Sequence, residues 1–234
     1  MSVSIDGKWA LITGASRGVG MRVAKALAEA GCRLILHSRK IQHTRELEAL
    51  LVKNGSTVFS VNAELSDINQ VDRLIQEVKS VTHNHLDILY NNAAQMTHYM
   101  SDFYNTAESD YTRSFLVNAT VPAILCNAFV PQMLNNGWGR VVNVTSGIKM
   151  QPELMAYSCS KAALDRYVRD MVPTLEGTDV LMNLMDPGWL RTDLGGPNAP
   201  NHPDSVLPGA LVPILLDKTA GSGNLYKAQD YVIK

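Results

Sequence analysis

The sequence has little of several things at once. Only 3 of its 234 residues are cysteine, and Cys32, Cys126 and Cys159 form no CxxC pair, so neither a disulfide framework nor a thiolate zinc site is expected. Free thiols in a reducing compartment are the expectation instead. An excess of one charge is also missing: 21 Lys and Arg against 22 Asp and Glu leave a net charge of −1, without the basic surplus that nucleic acid or anionic lipid attracts. No nucleic-acid or membrane partner is expected. Residues 1–8 lack the apolar core of a secretory signal, and no apolar run approaches the roughly 18 residues of a bilayer span, which argues for a cytoplasmic chain. Repeats and low-complexity tracts are absent as well. What is present, 46% hydrophobic residues, suffices to bury one substantial core, and residues 1–234 read as a single domain.

Short aliphatic and β-branched runs alternate with longer stretches of helical period, the pattern of a parallel sheet covered by helices. The runs lie at residues 9–13, 33–37, 57–61, 86–90, 140–145 and 180–185, with a seventh near 225–233. Each is nearly continuous in apolar character, as strands buried on both faces require. Between them, Val23, Leu27 and Ala30, then Leu47, Leu50 and Leu51, then Val71, Leu74, Ile75 and Val78 place an apolar stripe on each helix. Two longer helices are expected near 107–135 and 156–175. Residues 187–213 hold six of the ten prolines, so no long helix runs there. This segment follows the sixth strand at the carboxyl edge of the sheet, and it reads as a surface connection or a mobile substrate lid.

Thr13-Gly14-Ala15-Ser16-Arg17-Gly18-Val19-Gly20 lies between an expected strand and an expected helix. Glycines there let the backbone pass close to a pyrophosphate and bring the helix N-terminus, with its unpaired N–H groups and positive dipole end, against the phosphate charge. Alone, three glycines can also be a simple turn. The strand before and the helix after favour the dinucleotide reading.

The GxxxGxG spacing resembles that of the short-chain dehydrogenase/reductase family. Asn91-Asn92-Ala93-Ala94 resembles the family's NNAG segment with Ala94 in place of glycine, and Pro187-Gly188-Trp189-Leu190-Arg191-Thr192 resembles its PGxxxT segment. Tyr157-Ser158-Cys159-Ser160-Lys161 puts a phenol and an ammonium on one helix face. By itself that spacing is equally a solvated face, but it opens the helix after the fifth strand, where the family keeps its catalytic pair. The resemblance runs from residue 9 to residue 192. It implies a Rossmann-type, doubly wound parallel sheet of six to seven strands in the order 3-2-1-4-5-6-7. The implied activity is hydride transfer between a nicotinamide coenzyme and a carbonyl or secondary alcohol. A homodimer or homotetramer through the two long helices is implied as well. Within the family, residues 187–200 look like carbonyl reductases of the C-factor type, and the front half like β-ketoacyl reductases.

The resemblance also assigns roles. Tyr157 is the general acid/base, and Lys161 beside it is expected to lower the phenol pKa. Ser146 polarises the substrate oxygen, and Asn118 helps hold the lysine through a water. The interval from Ser146 to Tyr157 is 11 residues, shorter than is usual in the family. The loop at 147–156 is therefore tighter, and Thr145 is an alternative source of the hydroxyl.

Coenzyme contacts are expected from Gly14, Ser16, Arg17, Gly18, Val19 and Gly20 in the turn, from Asn91 and Ala93, from Tyr157 and Lys161, and from Pro187, Gly188 and Thr192. Glu64 and Leu65 resemble the family's Asp-Val pair at the adenine. Where a carboxylate would hold the adenosine ribose stands Ser38, followed by Arg39, with Arg17 a second cation nearby. A missing acid and two guanidinium groups favour NADP(H) over NAD(H). No metal is expected: His83, His85 and Asp87 lack a further ligand at suitable spacing. Met96, Met100, Met150 and Met155 flank the expected site, with Trp189 and Leu190 as its other wall, which suggests an apolar, adaptable pocket. The rival reading is a non-catalytic NADP(H)-binding redox sensor, for which Tyr157 and Lys161 would have no use.

Overall fold

The alternation read in the sequence folds as one seven-stranded parallel sheet in the order β3-β2-β1-β4-β5-β6-β7, described for residues 3–232 in a computed structural model. In chain order the elements are β1 (Trp9–Ile12), α1 (Gly18–Glu29), β2 (Arg33–Ser38), α2 (Arg45–Lys53), β3 (Val58–Asn62), α3 (Ile68–Thr82), β4 (Ile88–Asn91) and α4 (Glu108–Phe115). A π-helical turn (Leu116–Thr120) leads into α5 (Val121–Asn136), followed by β5 (Gly139–Val144), α6 (Met155–Asp170), the single turn α7 (Val172–Leu175), β6 (Val180–Asp186) and β7 (Leu225–Lys227). This is the single-domain Rossmann-type arrangement expected.

Successive strand residues point to opposite faces, and the core divides accordingly. Leu11, Ile35, Leu89 and Val141 pack with Val71, Leu125, Phe129 and Val168 from α3, α5 and α6. Their neighbours Ala10, Ile12, Leu34, Leu36, Tyr90 and Val142 pack on the other face with Val23, Leu27 and Leu47 from α1 and α2. Asp87 accepts from Trp9 N at 2.8 Å and from Lys8 Nζ at 3.1 Å, so this member of the histidine-rich cluster ties β1 to β4.

Several expectations are revised. The helix expected over 156–175 ends at Asp170, because Pro173 in α7 has no N–H with which to continue the ladder. The last strand is only Leu225–Lys227, after which Ala228–Tyr231 forms a short helical turn; Ile233 lies outside the described residues. Glu108–Asn136 runs as one helix of 29 residues, with an 18-residue window of mean hydropathy 1.5. By length and composition it is apolar enough to cross a membrane, contrary to expectation. Polar Asn118, Thr120 and Asn127 break up its apolar runs in sequence. Val121, Leu125, Phe129 and Met133 are buried against the sheet, the placement of a core helix.

The proline-rich segment is also more than a surface connection or lid. Val206, Ala210 and Ile214 are buried on the α1 face of the sheet, and the Tyr90 hydroxyl donates to Ala210 O at 3.0 Å. Two short helical turns, Pro203–Val206 and Gly209–Ile214, cover that face. Only the stretch before them, with exposed Trp189, Arg191, Asp193 and Leu194, stands out at the carboxyl edge.

Candidate active site

Strand order reverses between β1 and β4, and a ligand crevice is expected beyond the carboxyl ends of the strands at that point. Thr13, Asn92, Thr145 and Asp186 end or directly follow β1, β4, β5 and β6 there.

The glycine turn is held by neutral, part-buried hydrogen bonds. Thr13 Oγ1 accepts from Asn92 N at 2.9 Å and Ala93 N at 3.0 Å. Asn92 Nδ2 donates to Thr13 O at 2.8 Å and Gly14 O at 3.1 Å. His37 is fully enclosed: its Nδ1 accepts from Gly14 N at 3.2 Å while Nε2–H donates to Ala63 O at 3.0 Å. Burial holds the His37 pKa down to about 4, so the ring is neutral in this role. Gly14 and Gly18 have φ of 67° and 59°, and a Cβ on Gly20 would lie 2.4 Å from Gly14 O and 2.6 Å from Asn92 Nδ2. Helix α1 starts at Gly18 with no capping side chain and no acid in its first turn. Its orphan N–H groups and dipole suit an anion, and this close-packed backbone cradle fits the pyrophosphate of a dinucleotide. Half-buried Ser16 and Val19 lie in the same turn.

At the ribose edge Ser38 is buried and donates to Lys40 O at 2.8 Å. Arg39 is exposed and makes no ion pair among the described residues. Arg17 pairs with Asp193, both side chains about two-thirds exposed. Glu64 turns Oε1 onto Ser66, accepting from its N at 3.1 Å and Oγ at 2.9 Å, and the Leu65 side chain is buried in the core. Asn91 differs from expectation: its amide points into the core, donating to Asn143 Oδ1 at 2.9 Å, because it still belongs to β4. Asn92, one residue on, does the work at the turn. Across the crevice, Pro187 O accepts from Gln229 Nε2 at 2.9 Å, Gly188 N donates to Asp186 Oδ1 at 2.9 Å, and the Thr192 methyl lies 3.8 Å from where a Gly18 Cβ would sit.

The phenol and amine both lie on the buried face of α6. Lys161 Nζ donates to Val144 O at 2.7 Å and lies 6.0 Å from the Tyr157 ring centroid. Ser146 lies near enough to Tyr157 to lower its pKa, and Ser146 Oγ accepts from Ile148 N at 3.2 Å. Thr145, the alternative hydroxyl, is buried and donates to Asp165, which leaves Ser146 as the one beside the phenol. Asn118 sits in the π-helical turn, a device common at functional sites. Its Oδ1 accepts from Gln95 N at 2.8 Å, and its Nδ2 donates to Gln95 O at 2.8 Å and Ser160 Oγ at 2.9 Å. Ser160 Oγ in turn donates to Tyr157 O at 2.7 Å. Asn118 thus clamps the helix that carries the pair, and its side chain does not contact Lys161 directly.

Burial dominates the electrostatics of the pair. Burial pushes the Tyr157 phenol up to about 12, with the Ser146 hydrogen bond lowering it and the Asp186 charge raising it. Burial brings Lys161 down to about 8, opposed by the Asp165 carboxylate, whose own pKa is raised by burial. Desolvation is the largest influence on both groups. Met150 is 94% and Trp189 58% exposed, whereas Leu190, at 4%, is withdrawn into the core. Sequence reasoning missed Asn92, His37 and Asp186 as site residues; each shows itself only through contacts with distant chain.

A parallel doubly wound sheet with this crevice and a Tyr–Lys pair beside it defines a dinucleotide-dependent oxidoreductase fold. The family model described as short chain dehydrogenase matches residues 8–202, and the chain belongs to the short-chain dehydrogenase/reductase family of oxidoreductases. It is 30% identical over 195 residues to the uncharacterized oxidoreductase YvrD of Bacillus subtilis, covering 82% of this chain and 72% of that one. It is 30% identical over 212 residues to the hydroxynaphthalene reductase-like protein Arp2 of Metarhizium anisopliae, covering 88% and 77%. A metagenomic short-chain oxidoreductase in complex with NADP superposes with a TM-score of 0.81 at 26% identity, covering 96% of this chain and 99% of that one. A 3-oxoacyl (acyl-carrier-protein) reductase from Agrobacterium tumefaciens with NADP bound superposes with a TM-score of 0.85 at 24% identity, covering 96% and 93%.

Proposed function

We propose that this chain reduces a ketone or aldehyde with NADPH, and runs the reverse alcohol oxidation with NADP+. The observation that carries the reading is the placing of Tyr157 and Lys161 together on the buried face of α6, with Lys161 Nζ 6.0 Å from the phenol ring centroid and held by Val144 O at 2.7 Å. Bound in the crevice, the reduced nicotinamide supplies the hydride. Ser146 and Tyr157 donate hydrogen bonds to the substrate oxygen and stabilise the negative charge that grows on it. With its pKa at about 12, Tyr157 holds its proton at neutral pH and releases it to that oxygen as the carbon is reduced. Lys161 stabilises the phenolate left behind, and solvent restores the proton.

NADP(H) is supported by exposed, unpaired Arg39, by the absence of an acid at Ser38, and by the NADP in the related structures. Arg39→Asp is expected to lower the ratio of NADPH to NADH efficiency by at least about tenfold, since charged hydrogen bonds contribute on the order of 1.5–3 kcal/mol; an unchanged ratio overturns the assignment. Exposed Met150 and Trp189 suit an apolar substrate. We place the working form as a cytoplasmic homodimer or homotetramer through α4, α5 and α6, as is common in the family, checked by sedimentation. The activity is tested by following NADPH oxidation against a panel of ketones, aldehydes and quinones with Tyr157→Phe as control. Turnover that survives the substitution sinks the mechanism.

A further inference from the structure

The coenzyme cradle draws on three chain segments that leave three different strands. The glycine turn follows β1, Ser38 ends β2 with Arg39 after it, and Glu64 and Leu65 follow β3. β2 pairs with β1 on one side and with β3 on the other, so the turn and the β3 exit are separated by a whole strand. His37 stands on that middle strand, one residue before Ser38, and is 1% exposed. Its ring reaches both ways: Nδ1 accepts from Gly14 N at 3.2 Å, and Nε2–H donates to Ala63 O at 3.0 Å. Ala63 is the residue before Glu64. The two partners fix the tautomer, because a backbone N–H only donates and a carbonyl only accepts.

Backbone hydrogen bonds join each segment to its neighbour alone, Ala15 N donating to His37 O at 2.9 Å and Ala63 N to Ser38 O at 3.2 Å. Among the described residues, the imidazole is the one hydrogen-bonding group that touches both the turn and the β3 exit. We propose that His37 is a positioning residue for the coenzyme, acting through Gly14: its ring holds the pyrophosphate turn at a fixed spacing from the edge that receives the adenosine. This inference rests on the reading of the crevice as a dinucleotide site. A ligand that spans both parts gains from a preset spacing, whereas one that occupies the adenosine edge alone does not. That edge keeps its own β2–β3 pairing whether or not the ring is present.

The test titrates two ligands by calorimetry. NADPH spans turn and edge; 2′-AMP carries the adenosine and its 2′-phosphate without a pyrophosphate. His37→Leu fills much of the same space and makes neither hydrogen bond. It is expected to bind NADPH about tenfold more weakly, the scale of one buried hydrogen bond left unmade, and 2′-AMP within about twofold of the unaltered protein. His37→Gln, whose amide offers both an acceptor and a donor, recovers most of the NADPH affinity. Unchanged or tighter NADPH binding by the leucine variant, or an equal loss of both ligands, overturns the inference. A second measurement needs no substitution: imidazole nitrogen shifts in the unaltered protein should show Nε2 protonated and Nδ1 bare. The opposite tautomer overturns the inference even where the leucine variant does not fold. NADH is titrated in parallel. If the unaltered protein prefers it, the NADP(H) assignment fails, and the NADH affinity lost in the leucine variant decides the role of His37 instead.

Discussion

The two sides of the crevice are built from different interactions. On the coenzyme side, Thr13, His37 and Asn92 lock the glycine turn with neutral hydrogen bonds between strands that are already paired. On the substrate side, residues 187–204 hang on the exposed Arg17–Asp193 and Arg22–Asp204 ion pairs and on Gln229 from the end of the chain. Burial makes the first set strong and specific, because any unpaired member would cost its full desolvation. Exposed ion pairs contribute little and are screened by salt. One wall is thus fixed to a constant ligand, while the other is free to differ with the substrate.

The sharpest way to break this comparison is at the point where the two walls meet. Tyr157→Phe removes only a hydroxyl from a buried ring, so the fold and coenzyme binding are expected to survive. Turnover should fall by about 10²–10⁴-fold, the usual contribution of a positioned acid, measured as kcat for NADPH oxidation. Next in size is Gly20→Ala. Its Cβ would meet Gly14 O at 2.4 Å, a backbone atom that cannot swing aside. Overpacking of this kind costs typically ~1–3 kcal/mol, and coenzyme affinity should drop by tenfold or more in a fluorescence titration. Unchanged NADPH binding would mean that the cradle is not rigid.

Legibility follows the same division. Six of the seven strands were readable because a strand covered on both faces is a continuous apolar run, the seventh was placed but read too long, and the glycine turn was readable because close backbone approach demands glycine in a local pattern. Tyr157, Lys161 and Ser146 were found through family resemblance, since their spacing alone fits a solvated helix equally well. His37 had no local signal: its partners Gly14 and Ala63 are 23 and 26 residues away. Asp186 looked like any acid before a turn, and Gln229, 42 residues beyond Pro187, belonged to a stretch read as strand. The helix expected over 156–175 ran through Pro173, the residue at which the structure breaks it. Periodicity reports which face is buried and nothing about which distant polar group will arrive there.

A milder probe of the fixed wall is pH. His37 has a folded pKa of about 4 against 6.5 when free, so the unfolded chain binds its proton first as pH falls. The contribution is fully present above pH 6.5 and is lost on going down toward 4, at a slope approaching about 1.4 kcal/mol per pH unit. Replacing the ring by His37→Gln, whose amide can still accept from Gly14 N, removes this titration. Urea midpoints measured from pH 7 to 4 should therefore fall more steeply for the unaltered protein than for the variant. Parallel curves would show that the turn does not depend on a neutral ring.

The smallest effect is expected on the other wall. Asp193 shares Arg17 with nothing buried, and both side chains are about two-thirds exposed, so Asp193→Asn should leave the thermal midpoint within error. Its consequence lies in binding: the aspartate occupies a guanidinium that the coenzyme's 2′-phosphate would otherwise engage. Freed of that competition, the variant should bind NADPH about two- to fivefold more tightly at low salt, with NADH unaffected and the gain vanishing as screening rises. Weaker NADPH binding would reverse the lesson drawn from the two walls. It would mean that the Arg17–Asp193 pair holds the 187–192 stretch in place for the coenzyme, and that the exposed contacts on this side are as much a part of the fixed cradle as Thr13, His37 and Asn92.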